Sequence, residues 1–316
     1  MDWTDRHCRY YLRLIAPRAL LYTEMVTTGA LIHGDVPRHL DYSAEEHPLA
    51  LQLGGSEPED LARCAKLAAQ WGYDEINLNV GCPSERVQRG AFGACLMAEP
   101  QLVADCVAAM RAATALPVTV KHRIGIDAIE DYGYVRDFVG TVAAAGCTTF
   151  IVHARNAVLK GLSPKENREI PPLKYDYVHR LKREFPALTI VINGGITRWD
   201  EIEAQLAQVD GVMLGRAAYH DSYLLAEAGA RVFGDPAAPR SRAEVALAMH
   251  AYAGRVVAAG GLLRWVTRHL LGLYHGHPRA RAWRRQLSDA RLLAANDPGL
   301  ILQALDLAEN RGRAAA

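Results

Sequence analysis

EINLNVGCP, residues 75–83, alternates apolar and polar side chains for six positions and then stops at a glycine, a cysteine and a proline. Ile76, Leu78 and Val80 fall on one parity; Glu75, Asn77 and Asn79 fall on the other. A period of two is that of a strand with two different faces, and Pro83 keeps the residue before it extended. The same reading applies to LLYTEM (20–25), LALQLGG (49–55), VTVKHRIG (118–125), TFIVHAR (149–155), TIVINGG (189–195) and GVMLGRA (211–217). Between these runs lie segments with helical spacing, such as EDLARCAKLAAQWG and QLVADCVAAMRAAT, often closed by glycine. Strand and helix alternating at this unit length predict an α/β protein, a TIM (β/α)8 barrel of parallel strands.

Seven strands are visible, whereas such a barrel closes with eight. The chain opens MDWTDRHCRYYLRLIAP, a loop from Asp2 to Asp5 running into a helix. The first strand is therefore expected to be missing. At 316 residues the chain is long enough for one large domain and an appendage, read as a barrel over 1–239 and a C-terminal helical domain over 240–316.

Strand parity separates two faces. Leu49, Leu51 and Leu53, Ile76, Leu78 and Val80, Val118 and Val120, and Ile190 and Ile192 are expected to face the outer helices. The opposite parity holds Gln52, Asn77, Asn79, Thr119, Lys121, Arg123, His153, Arg155 and Asn193, whose polar members gather at the C-terminal strand ends. Barrel active sites form at that end, so these residues predict a polar mouth. Glycines in NGG (193–195) and GR (215–216) end the last two strands, where backbone N–H groups commonly hold a phosphate.

Cys82 sits at the tip of the EINLNVG strand, with its thiol expected to look into the mouth. Cys95 begins the apolar run ACLMAEPQLVADCVAAM and, like Cys106, reads as a small buried hydrophobe. The six cysteines are scattered without a CxxC pair, which excludes a disulfide framework and a zinc site of that type. HGH at 275–277 offers two histidines without further ligands and reads as loop. No apolar run reaches about 18 residues and no signal pattern opens the chain, so the expected location is the cytoplasm.

The net charge of +1 hides an asymmetry. From Arg240 onward, twelve arginines face five acidic residues and no lysine occurs, a net +7 that leaves −6 for the rest. A basic tail on an acidic body predicts a polyanionic partner.

YDEINLNVGCPSERVQRGAFGACLM, VTVKHRIGID, VHARNAVLKGLSPKENREIPPLKYDYV, INGGI, DGVMLGRA and the C-terminal HLLGLYHGHPRARAWRRQLS together closely resemble the tRNA-dihydrouridine synthases of the A subfamily, over nearly the whole chain. The resemblance implies an FMN-carrying barrel with a helical tRNA-binding domain that reduces D-loop uridines, at positions 20 and 20a, with NADPH as reductant. It implies that Gln52, Lys121, His153, Asn193, Gly194, Gly195, Gly215 and Arg216 bind FMN, and that Asn79 and Arg123 address the uracil. Lys165 and Arg168 of the long loop after His153, with Arg281, Arg284 and Arg285 of the tail, are expected to meet tRNA, as are Lys160, Arg264, Arg268 and Arg279 with the interleaved Trp265, Tyr274 and Trp283. Cys82 matches the catalytic cysteine.

A thiol suits that role. Hydride arriving at C6 of uracil leaves enolate-like charge on C5 and O4, and a proton must reach C5 from the other face. A thiol is mostly protonated at neutral pH yet gives up its proton readily. Members of that family carry a strand ending in an APMMDWTDRH-like segment, so the natural start is expected upstream of this chain's first residue, or the chain's activity is impaired. Two other functions fit the residues: an FMN oxidoreductase of a free pyrimidine or enone, which has no use for the +7 tail, and a tRNA-binding protein without catalysis, which a missing strand favours.

Overall fold

In the computed structural model residues 3–309 are described, the side chain of Arg86 apart, so Asp2 of the expected opening loop lies outside them. The chain divides into two compact units, Tyr22–Asp41 with Pro48–Gly215, and Met1–Leu21 with Tyr42–His47 and Arg216–Ala316.

The first unit carries the sheet. The strands are β1 (Leu21–Tyr22, the unit boundary falling between its two residues), β2 (Val26–Thr27), β3 (Leu49–Gly54), β4 (Glu75–Val80), β5 (Val118–Arg123), β6 (Thr149–His153), β7 (Thr189–Asn193) and β8 (Gly211–Met213). Their order is β1-β3-β4-β5-β6-β7-β8, with β2 beside β3, and the ladders from β3 to β8 are all parallel. Among the described residues no ladder joins β8 to β1. The alternation of parallel strand and helix is that of the expected α/β barrel. The LLYTEM run is interrupted because the Thr23 hydroxyl, instead of backbone, accepts the Gln52 N–H at 3.0 Å. GVMLGRA is a strand only to Met213, since a helix opens at Arg216.

The apolar parity is buried as expected: Leu49, Leu51, Leu53, Ile76, Leu78, Val80, Val118, Val120, Ile190 and Ile192 are all inaccessible or nearly so. The helix Pro58–Trp71 shows why the intervening segments are helical. Pro58 stands in its first turn, Glu59 and Asp60 complement the N-terminal dipole, and Gly72 closes it at φ 82°. Leu61, Cys64, Ala65 and Ala68 form its buried stripe. The run beginning at Cys95 is two pieces, a 3-10 turn over Gly93–Ala98 and a helix over Pro100–Ala113, because Pro100 cannot continue the preceding turn.

In the second unit, Asp5 caps the helix Arg6–Ile15 by accepting the N–H groups of His7 and Cys8. Ser241 and Glu244 form a capping box at the start of Arg242–Ala258. The helix Ala280–Ser288 buries Ala280, Trp283 and Leu287 on one side. Trp283 donates its indole N–H to the Leu270 carbonyl at 2.8 Å. No helix among the described residues is long and apolar enough to cross a membrane.

Candidate active site

The polar parity of β3, β4 and β5 forms one connected layer. The register sets Gln52 beside Asn77 and Asn77 beside Thr119, and Asn79 beside Lys121. Gln52 Nε2 donates to Asn77 Oδ1, Asn77 Nδ2 to Thr119 Oγ1, and Asn79 Nδ2 to Gln52 Oε1, each at 2.9 Å. Thr119 in turn donates to Glu75 at 2.7 Å, and Tyr22 donates to the same carboxylate oxygen at 3.1 Å. Burial pushes the Glu75 carboxyl up, against those two hydrogen bonds.

Across the layer, Lys121 Nζ donates to Asn193 Oδ1 at 3.3 Å, and Asn193 Nδ2 donates to the Met213 carbonyl at 2.8 Å. Burial, then the Arg123 guanidinium, brings the Lys121 ammonium down to about 8. His153, 8% exposed, pairs in register with both Arg123 and Asn193. Burial holds its imidazole well below the ordinary range, and the charges acting on it are Arg123, Lys121, Arg155 and Arg168, all cations. Gly194 and Gly195 follow at φ 118° and 73°. A Cβ on Gly194 would lie 2.7 Å from His153 Cδ2, and one on Gly195 would lie 2.6 Å from a Leu173 methyl, so only glycine lets the backbone pass here. Around Gly215 nothing comes within 4 Å of such an atom.

The loop after β4 is pinned on its backbone. Asn79 Oδ1 accepts the N–H groups of Gly81 (3.1 Å) and Cys82 (3.0 Å), and the Cys82 carbonyl accepts Ala94 N–H at 2.9 Å. The half-buried Cys82 thiol donates to the Ser84 hydroxyl at 3.5 Å and contributes to the electrostatics of both Lys121 and Arg123. Arg123, 2% exposed, donates Nε to the Gly81 carbonyl at 3.1 Å and Nη1 to the carbonyls of Asn156 (3.1 Å) and Asn167 (2.8 Å). Cys95 is half-buried rather than buried as expected; its thiol turns back onto the Phe92 carbonyl at 3.1 Å, and burial raises its pKa. Cys106 is fully buried and pushed up to about 12.

Lys160 and Lys165 are exposed on the long loop after β6, and Arg168 is half-buried there. In the second unit, Arg281, Arg284 and Arg285 are exposed on Ala280–Ser288, the helix that buries Trp283. Arg264, Arg268 and Arg279 are exposed as well, Arg268 being paired with Asp5 at 2.5 Å. Tyr274 and Trp283 are fully buried, contrary to their expected interleaving with the arginines; Trp265 alone of the three is exposed, at 43%. Arg216 opens the helix Arg216–His220 of that unit.

Sequence reading missed the residues that fasten the loops to one another. Asn167, fully buried, donates to the Val158, Leu162 and Ser163 carbonyls and accepts Val158 N–H. Asp127, at φ 48°, accepts Leu159 N–H at 2.8 Å. Gln88 donates to the carbonyls of Pro83 and Leu159, each at 2.8 Å. Nothing in the sequence pattern set these residues apart from other loop polar residues.

The strand ends thus bring together a cation cluster, glycines that bare the backbone, a layer of amides and a thiol. That donor set fits a phosphorylated heteroaromatic cofactor, whose anionic group needs the cations and whose ring edges need amide partners. Residues 1–309 match the dihydrouridine synthase family. The tRNA-dihydrouridine(20/20a) synthase of Pseudomonas putida is 58% identical over 311 residues, 98% of this chain and 93% of the relative. Proteins of the same name from Shewanella oneidensis (59% over 289 residues, 92% and 86%) and Escherichia coli (56% over 312 residues, 98% and 94%) agree.

Proposed function

Because the chain belongs to the dihydrouridine synthase family, we propose that it forms dihydrouridine in tRNA, at D-loop positions 20 and 20a as its relatives are named. FMN is the cofactor, with the Gly194–Gly195 backbone, Gly215 and Arg216 holding its phosphate and Gln52, Lys121, His153 and Asn193 its ring. Bound there, it would supply the hydride for C6 of the uracil, with NADPH as the reductant. The chain's own residues do the rest. Lys121 carries a positive charge beside the ring, where reduction leaves negative charge. Asn79 and Arg123 address the uracil edge, and Cys82 gives its proton to C5.

The observation that carries this reading is the placement of Cys82: a half-buried thiol just past the end of β4, its backbone N–H held by Asn79, which pairs in register with Lys121, and the preceding Gly81 carbonyl held by Arg123. A uridine inside a folded tRNA must be turned outward to reach such a thiol, so binding has to come largely from backbone contacts. Lys165 and Arg168, and Arg281, Arg284 and Arg285 of the helical domain over 240–316, supply cations for them, with the barrel over 1–239. The test is direct. FMN-loaded protein with NADPH and tRNA lacking dihydrouridine is expected to produce dihydrouridine at 20 and 20a, read by mass spectrometry. Free uridine reduced as readily as tRNA, or tRNA bound without reduction, would overturn the proposal.

A further inference from the structure

Gln88 lies in the short helix Glu85–Arg89, six residues beyond Cys82, and its side-chain amide spans two loops. Both of its hydrogens are used: Nε2 donates to the Pro83 carbonyl and to the Leu159 carbonyl, each at 2.8 Å. Pro83 follows Cys82 directly, while Leu159 belongs to the loop after β6 and precedes Lys160. On its other side Leu159 is fixed by Asp127, which accepts its N–H at 2.8 Å. Leu159 is therefore one point at which three strand-end loops meet: those after β4, β5 and β6. Within the β4 loop, the Cys82 N–H is taken by Asn79 and its carbonyl by Ala94 N–H; Arg123 ties Gly81, on the near side of Cys82, to the carbonyls of Asn156 and Asn167, and Gln88 ties Pro83, on the far side, to Leu159 of the β6 loop.

We propose that Gln88 is a positioning residue, one that sets the Cys82 thiol by tying its loop to the cation-bearing loop of Lys160, Lys165 and Arg168. RNA held by that loop then bears on the thiol through Leu159 and Gln88. This rests on Cys82 as the proton donor. A proton transfer is sensitive to placement, and misplacement by about 1 Å costs up to roughly a hundredfold in rate. Two carbonyl acceptors facing one amide also dictate which substitutes serve. Leucine fills the space without donating, glutamate turns like charge toward both carbonyls, and lysine donates from a similar length.

The experiment uses full-length, FMN-loaded protein. Gln88→Leu and Gln88→Glu are expected to lower kcat roughly ten- to a hundredfold with the KM for tRNA within about twofold, while Gln88→Lys recovers most of the rate. Alkylation of Cys82 by iodoacetamide, mapped by mass spectrometry against Cys95 in the same sample, is expected to change severalfold in the Leu and Glu variants and to stay near the unsubstituted rate in the Lys variant. Unchanged kcat together with unchanged Cys82 alkylation in Gln88→Leu would overturn the inference. Cys82→Ala separates the two readings. If it retains dihydrouridine formation the proton-donor assignment falls, whereas the alkylation comparison still reports whether Gln88 sets that thiol.

Discussion

Asn79 accepts the backbone N–H of Cys82 on its side-chain oxygen at 3.0 Å. That one contact orients a whole row of amides. With its oxygen turned to Gly81 and Cys82, the Asn79 amide nitrogen must donate onward, to Gln52; Gln52 then donates to Asn77, and Asn77 to Thr119. The row ends on Glu75, a carboxylate that accepts from Thr119 and Tyr22. A carboxylate at one end and two backbone donors at the other leave a single consistent orientation for every amide between them. The cysteine's loop is thereby referred to the rigid interior of the sheet.

Asn79→Ala removes the acceptor and the onward donor together. Two backbone N–H groups and the Gln52 oxygen lose their partners, at a cost of about 1–3 kcal/mol for each group kept from water. The variant is expected to unfold several degrees lower and to lose most dihydrouridine formation. Asn79→Asp keeps the acceptor and is expected to recover stability ahead of activity. Thermal unfolding followed alongside single-turnover rates checks both; an Ala variant as stable as the parent would show that the loop has other support.

Cys82→Ala is expected to keep FMN and tRNA affinity while slowing flavin oxidation by tRNA by about 10²–10⁴-fold, the range a general acid supplies. Cys95→Ser should stay within about twofold of the parent rate, as a group donating to its own turn has no role in proton delivery. Stopped-flow bleaching and recovery of flavin absorbance measures both variants.

Lys121 gives the site a pH signature. Its ammonium, ordinarily near 10.5, is held at about 8 by burial and by Arg123. The charged form is the one an anionic cofactor selects. Above about pH 8, binding therefore requires proton uptake, and FMN affinity is expected to fall by up to about tenfold per pH unit. Stability moves the other way. Between pH 8 and 10.5 the unfolded chain holds more protons at this residue than the folded one, so the cofactor-free protein gains stability from Lys121 as pH rises through that window. Lys121→Met is expected to flatten both trends; FMN fluorescence titrations from about pH 7 to 9.5 that keep their slope in this variant would move the effect to another group.

The sheet and its mouth were legible because a strand has a strict period and only one face was apolar: from Leu49 to Ile192 the buried parity could be written down directly. Cys82, Lys121 and His153 followed, since each stands at the end of such a strand. What stayed hidden depends on spacing between loops, to which no periodicity applies. Gln88, Asp127 and Asn167 read as ordinary loop polar residues, and only their distances to carbonyls and N–H groups across other loops give them a role. The tail was half legible. Its basic charge was legible, but Tyr274 and Trp283 belong to the core of that unit: Trp283 stands about a third of a turn from its neighbour Arg284 on the helix Ala280–Ser288, and Tyr274 is buried in the turn before that helix.

On the proposed function, that helical geometry selects the arginines expected to meet tRNA. Arg281, Arg284 and Arg285 follow one another at spacings of three and one around Ala280–Ser288, exposed outside the buried stripe of Ala280, Trp283 and Leu287, and none makes an ion pair among the described residues. Arg268 differs, because Asp5 already neutralises it. Cations without a carboxylate partner are those whose meeting with phosphate releases condensed counterions, at close to about 0.9 in log–log salt slope per contact. If about six cations of the chain engage, the parent slope is roughly −5. Replacing all three residues with glutamine is expected to make the slope shallower by about 2 to 3, with flavin content unchanged. Arg268→Gln should move the slope by less than about 0.5, because the charge it removes was already balanced. Equal loss of slope in the two variants would mean that the solvent face of this helix is not where the RNA backbone lies.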